Sequence, residues 1–230
     1  MNARLLFVLL FVLLDSVACI ELRAKQQGVD HLTPFKPSVY DELRPSLYRK
    51  LCVTQATHGR MIELPAGPER GEWAVSLHCS EGSASDQVCF VTLTRATANL
   101  DYIMQKYRGK DPLKVVNRVR VVRKDAPIQQ SVASAIRSAW LKFLQRVKSS
   151  PIRPNDPIPL DAEKIEFWIQ NNNRTTLKGE VPDNAGKTVT AFVELGRLLG
   201  NYCEVPERQR PDVVAKIELD AKRLVARIPN

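Results

Sequence analysis

Polar and apolar positions alternate most cleanly over Glu72 to Cys79, where Trp73, Val75, Leu77 and Cys79 fall on one side of an extended chain and Ala74, Ser76 and His78 on the other. Gln87 to Arg95 repeats the pattern, with Cys89, Val91 and Leu93 on one face, and the polar stretch Ser80 to Asp86 (SEGSASD) between them reads as a turn. An antiparallel hairpin is predicted. Leu47 to Thr54 and Arg60 to Leu64 read as two shorter strands before it.

Beyond the hairpin the period changes. Leu100, Ile103, Met104 and Tyr107 recur at helical spacing and predict a short helix from Ala98 to Tyr107, ended by Gly109 and Pro112. Leu113 to Lys124 (LKVVNRVRVVRK) alternates again, with Val119 and Val121 opposite Arg118 and Arg120, and predicts a strand. Asp125 then stands as a helix N-cap with Pro127 in the first turn, and Ile128, Val132, Ile136, Ala139, Trp140, Phe143 and Val147 predict an amphipathic helix to Lys148. A Pro-rich loop, Ser149 to Pro159, leads to a second hairpin of Lys164 to Gln170 and Thr175 to Val181 around Asn171 to Asn173. Two helices close the chain, one with Val189, Phe192, Val193, Gly196, Leu199 and Cys203 on a stripe, the other with Val213, Ile217, Ala221, Leu224 and Ile228. The sum is an α+β fold, an antiparallel sheet of about five or six strands covered on one face by three or four helices, in one domain over residues 46–230.

The N-terminus has a different character. Leu5 to Leu14 is an unbroken apolar run, too short to span a bilayer, followed by Asp15, Ser16, Val17, Ala18 and Cys19. This order matches the regions of a secretory signal over residues 1–18, with Ser16 and Ala18 as the small residues before the cut. Residues 19–45, with Pro34, Pro37 and Pro45, read as a tether or extended arm. Export implies an oxidising compartment, the periplasm or cell envelope, and bears on the five cysteines. With Cys19 set aside as a lipid anchor candidate, four remain. Cys79 and Cys89 lie symmetrically about the turn and are expected to pair, which leaves Cys52 for Cys203; four cysteines allow three connectivities.

Charge is segregated along the chain. The whole carries +9, but Asp101 to Arg153 holds thirteen Lys or Arg against three acids, so this segment is +10 and the rest is close to neutral. Arg118, Arg120, Arg123 and Lys124 are the expected contact patch for an acidic protein or envelope polymer. Nucleic acid is not an expected ligand, since stacking aromatics are sparse beside these cations and export removes the chain from it.

The residue types that chemistry requires are not spaced for it. There are three histidines, His31, His58 and His78, and no CxxC or HExxH, so no metal and no cofactor are expected. Ser83 and Ser85 lie in a turn rather than a GxSxG elbow, and no pair of acids stands out for glycoside cleavage. The reading is a non-catalytic binding or accessory protein, with an inhibitor or immunity factor as one form. The alternative is a hydrolase of an envelope polymer, which requires His58 or His78 to meet an acid and a nucleophile.

Two resemblances bear on the address of the protein. The signal end Ser16-Val17-Ala18-Cys19 resembles the bacterial lipobox, departing from it where Ser16 stands in place of Leu. The order of Ala126-Pro127, Ala139-Trp140-Leu141, a hairpin, and Val193-Glu194-Leu195-Gly196 to Tyr202-Cys203 is similar to that in exported bacterial proteins of unassigned function. It covers the C-terminal half and implies export and one α+β domain.

Overall fold

Six strands are assigned among the described residues: β1 (Thr57–Leu64), β2 (Trp73–Cys79), β3 (Cys89–Ala96), β4 (Val121–Ile128), β5 (Lys164–Gln170) and β6 (Thr176–Glu180). The helices are α1 (Arg44–Leu51), α2 (Leu100–Lys106), α3 (Gln130–Leu144), α4 (Lys187–Glu204) and α5 (Arg210–Arg227). The computed structural model describes residues 28–35, 44–52, 57–65, 69–80, 87–106, 114, 117–149, 163–170, 175–182 and 184–228. The signal segment, Cys19 and the turn at Asn171 to Asn173 lie outside the described residues.

All six strands join one antiparallel sheet in the order β4-β3-β2-β1-β5-β6. Because directly opposed residues share a face, each register row is a line of side chains across the sheet. One row runs Leu93, Val75, Met61 and Phe167 and is buried. It meets α3 and α4, where Phe192 stacks on Phe143 at 4.1 Å and lies 4.3 Å from Phe167. Helix α5 packs on those two helices rather than on the sheet. Burying large side chains such as Trp140, Phe167 and Phe192 stabilises by about 1.5–3 kcal/mol each.

Close helix approach depends on two glycines. A Cβ on Gly59 would lie 1.9 Å from Cε3 of Trp140, and one on Gly196 would lie 2.3 Å from Sδ of Met61. The missing side chains admit α3 and α4 to the sheet at those points.

The opposite face carries a smaller apolar cluster, in which Leu47 and Leu51 from α1, Cys52 just after it and Leu100 from α2 cover Ile62, Leu64, Ala74 and Ala96. Helix α2 starts where Asn99 Oδ1 accepts from Tyr102 N at 2.8 Å and Glu72 carboxylate oxygens accept from Leu100 N at 2.8 and 2.9 Å. These satisfy donors that a helix start leaves open.

Three expectations are corrected. The strand expected from Leu47 onward is part of helix α1, where Leu47 and Leu51 recur at helical spacing against the sheet. The strand expected over Leu113 to Lys124 is displaced toward the C-terminus, to Val121–Ile128. Asp125 does not cap α3: it pairs with Thr92 inside β4, and the helix begins at Gln130 without a side-chain cap. Pro127 is accommodated because β4 is an edge strand, where a missing N–H costs no ladder bond.

The expected Cys79–Cys89 disulfide is present, joining paired residues of β2 and β3. The Ser80 amide donates to Val88 O at 2.8 Å, which makes Ser80/Val88 a hydrogen-bonded pair and the adjacent Cys79/Cys89 a non-hydrogen-bonded one, where side chains approach most closely. The expected Cys52–Cys203 bond is not formed. Cys52 belongs to the cluster under α1, while Cys203 lies on α4 against Val91 O at 3.3 Å, so the sheet separates the two thiols.

Residues 28–35, part of the expected tether, lie on the domain. Thr33 exchanges backbone hydrogen bonds with Glu180 at the free edge of β6, Val29 bridges to Ala185, and Leu32 is fully buried.

Candidate interaction edge

Strand β4 ends the sheet on the side opposite β6, and its sequence VVRKDAPI packs only at some positions. Ala126 and Ile128 are buried, whereas Val122, Arg123, Lys124 and Asp125 are exposed. The pairing parity follows from one bond, since Thr97 N donates to Arg120 O at 2.9 Å and belongs to the same register as Cys89 with Ile128. Residues 120, 122, 124, 126 and 128 therefore turn their peptide groups toward β3, and residues 121, 123, 125 and 127 turn theirs away from the sheet. Two observations agree with this. Pro127 O accepts from the Tyr202 hydroxyl, and Val119 O accepts from Lys50 Nζ at 2.6 Å.

Of the four expected contact residues, Arg123 and Lys124 lie on β4, on opposite faces of it, and Arg118 and Arg120 precede the strand. Arg118 and Arg120 are exposed and make no ion pair among the described residues. Arg123 is exposed, yet its Nη2 donates to Lys50 O at 3.2 Å, satisfying one of the carbonyls that the C-terminus of α1 leaves open. Lys124 points to the other face, 3.9 Å from Glu204 Oε1, which Arg95 approaches more closely at 2.9 Å. Val122, 52% exposed, sits between them as an apolar side chain on an open strand. What the sequence reading missed here is the row of outward peptide groups. The signal was Pro127, which in a strand pattern marks an edge.

Across the sheet the polar face carries a second arrangement. Thr92 Oγ1 donates to Asp125 Oδ1 at 2.5 Å and lies 2.9 Å from His78 Nε2. A hydroxyl has one proton, so with it given to Asp125 the Thr92 oxygen accepts, and His78 carries its proton on Nε2. Burial holds the His78 pKa below 6.5, with Asp125 pulling the other way. Phe90 stacks on the ring at 5.8 Å. Among the described residues no Ser or Cys reaches His78, and the Cys52 thiol is pushed up by burial. The chain His78–Thr92–Asp125 thus ties β2, β3 and β4 together.

Further along that face, the Tyr48 hydroxyl donates to Glu166 Oε2 at 2.5 Å and its ring packs edge-on to Trp168 at 4.9 Å. Among the described residues no group of three or more His, Cys, Asp or Glu is gathered closely enough to hold a metal, and no helix is long and apolar enough to cross a membrane. A small cavity of about 230 Å³ lies elsewhere, beside the start of α4, lined by Asp30, His31, Arg146, Thr188 and Arg227 among others. Asp30 Oδ1 accepts from Thr188 N at 2.9 Å there, so the acid already serves the helix start. No protein-family model matches the chain, and no curated protein and no solved structure matches it.

Proposed function

We propose that the protein is an exported, non-catalytic binding protein of the cell envelope that docks an acidic partner protein through the basic strip at β4. The observation that supports this reading is the run of exposed cations Arg118, Arg120, Arg123 and Lys124 in and just before the edge strand β4, in the part of the chain that holds essentially all of its surplus charge. Cations clustered at an open strand attract anionic partners and speed encounter, an effect that added salt screens over about 8–10 Å. Export is supported by the order of residues 1–18 and is consistent with the Cys79–Cys89 disulfide.

Two measurements test the reading. The double variant Arg118→Glu/Arg120→Glu should lose retention on an immobilised acidic protein that holds the unaltered chain at low salt; equal retention of both would remove the strip as a docking surface. The intact mass of the protein recovered from its native host, with and without reductant, reports removal of the signal, a lipid on Cys19 and the disulfide together. A species that starts at Met1 with every thiol reduced would contradict export.

A further inference from the structure

The free edge of β4 presents more than charge. We propose that it takes an acidic peptide segment as a seventh strand, a mode of docking that rests on the reading above and specifies it. Three residues, Val121, Arg123 and Asp125, turn both N–H and C=O away from β3, and among the described residues none of these peptide groups has a partner. Such a row is the template on which an extended segment adds by main-chain hydrogen bonds. The template has a defined stop. Pro127 offers no N–H, and its carbonyl is taken by Tyr202.

The same molecule adds a short stretch of its own arm to one end of its other edge in this manner. Thr33 exchanges both backbone bonds with Glu180 at the end of β6.

Side chains select the occupant. Lys and Arg on an edge strand normally deter pairing with like segments. Two copies of β4 laid antiparallel edge to edge oppose Arg123 to Arg123 in one register, or Lys124 to Lys124 with Arg123 opposite Asp125 in the next, so an acidic strand, which sets carboxylates against both cations, complements the edge better than a second copy of this chain. An acidic strand meets the opposite situation. Arg123 on one face and Lys124 on the other offer a countercharge to carboxylates on either side of the incoming strand, and Arg118 and Arg120 extend the positive strip beyond it. Val122 supplies an apolar contact beside them.

The test uses the full chain, isotopically labelled, titrated with a short synthetic peptide that alternates Glu and Val. Two N-methylated versions of the peptide, blocked on one or the other alternate set of amides, keep the charge but remove one row of donors. The expected result is that the plain peptide binds, that the amides of Val121, Arg123 and Asp125 gain exchange protection, and that one N-methylated version binds about tenfold or more weaker while the other is little changed. Arg123→Pro, which removes an outward N–H and no bond to β3, should weaken binding well beyond Arg123→Ala. If both N-methylated peptides bind as tightly as the plain one, the added strand is overturned while the basic strip stands as a charge surface. If the plain peptide fails to bind a chain that still holds an acidic protein at low salt, the added strand is likewise overturned. Loss of both would remove the strip itself.

Discussion

Thr33 and Glu180 exchange both backbone hydrogen bonds, at 2.9 and 2.8 Å, and so tie the chain's own N-terminal arm to one edge of the sheet. The side chain that secures this arm is Leu32, fully buried in the main core. Leu32→Ala should cost about 2–5 kcal/mol, as deletion of a buried Leu side chain does, and speed proteolysis within 28–35. An unchanged denaturation midpoint would mean that the arm only rests on the domain.

Gly59 offers a test in the opposite direction. Alanine there places a methyl group inside the Trp140 ring's contact distance, and α3 must move to admit it. Overpacking of this kind costs about 1–3 kcal/mol or more. Urea denaturation of Gly59→Ala measures it, and a midpoint equal to that of the unaltered chain would show the helix free to shift.

Acid should weaken the fold as the histidines of the unfolded chain take up protons. Burial depresses the pKa of His31, His58 and His78 below 6.5, reinforced at His31 by Lys148 and Arg146 and at His58 by Arg137 and His78. Each imidazole then binds its proton more readily in the unfolded chain, so unfolding takes up protons in this range and stability rises with pH. The contribution is complete above about pH 6.5 and is lost as pH falls through that value toward the lower folded ones. Urea midpoints at about pH 7.5 and about pH 5.5 should differ, and His58→Gln with His78→Gln should reduce the difference. Equal differences in both proteins would exclude these two residues as its source.

The cysteines should separate by reactivity. Burial pushes the Cys203 thiol up to about 12 and raises Cys52 as well, so neither supplies much thiolate at neutral pH. Alkylation followed by peptide mapping should label both slowly in the folded chain and rapidly in denaturant. Rapid labelling of Cys203 without denaturant would contradict its position between α4 and β3. The Cys79–Cys89 bond closes a loop of separation 10, and Cys79→Ser/Cys89→Ser should lower stability by about 2–3 kcal/mol on the chain-entropy account.

Much of this architecture was legible because period and burial agree. In β2, Val75 and Leu77 are buried toward the long helices, and the alternation that assigned them to one face also placed Cys79 opposite Cys89. The stripes of α4 and α5 were legible for the same reason, as was an antiparallel sheet of about five or six strands, of which six are present. Failures came where one residue type serves two purposes. Asp125 followed by Pro127 has the composition of a helix start, yet Thr92 claims the carboxylate and the sheet edge tolerates the proline. Leu47 to Thr54 is too short for its period to separate helix from strand, and contact with Ile62 and Leu64 decides it. The basic residues of the interaction edge were legible by charge. Their differing partners were not, because Lys50 O and Glu204 reach them from elements 73 and 80 residues away in sequence.

The sheet order also dictates when the protein is vulnerable. Strands β1 to β4 are neighbours in sequence and in space, but β1's second partner is β5, about a hundred residues later. Until β5 joins, the meander of β1 to β4 has β1 as a long bare rim, whose Met61 will later meet Phe167. Pairing at such sequence separation is slow, and an uncovered strand invites other chains in the meantime. A chaperone that shields Arg60 to Leu64 until Lys164 arrives would therefore raise the yield of native protein more than one acting on the finished domain.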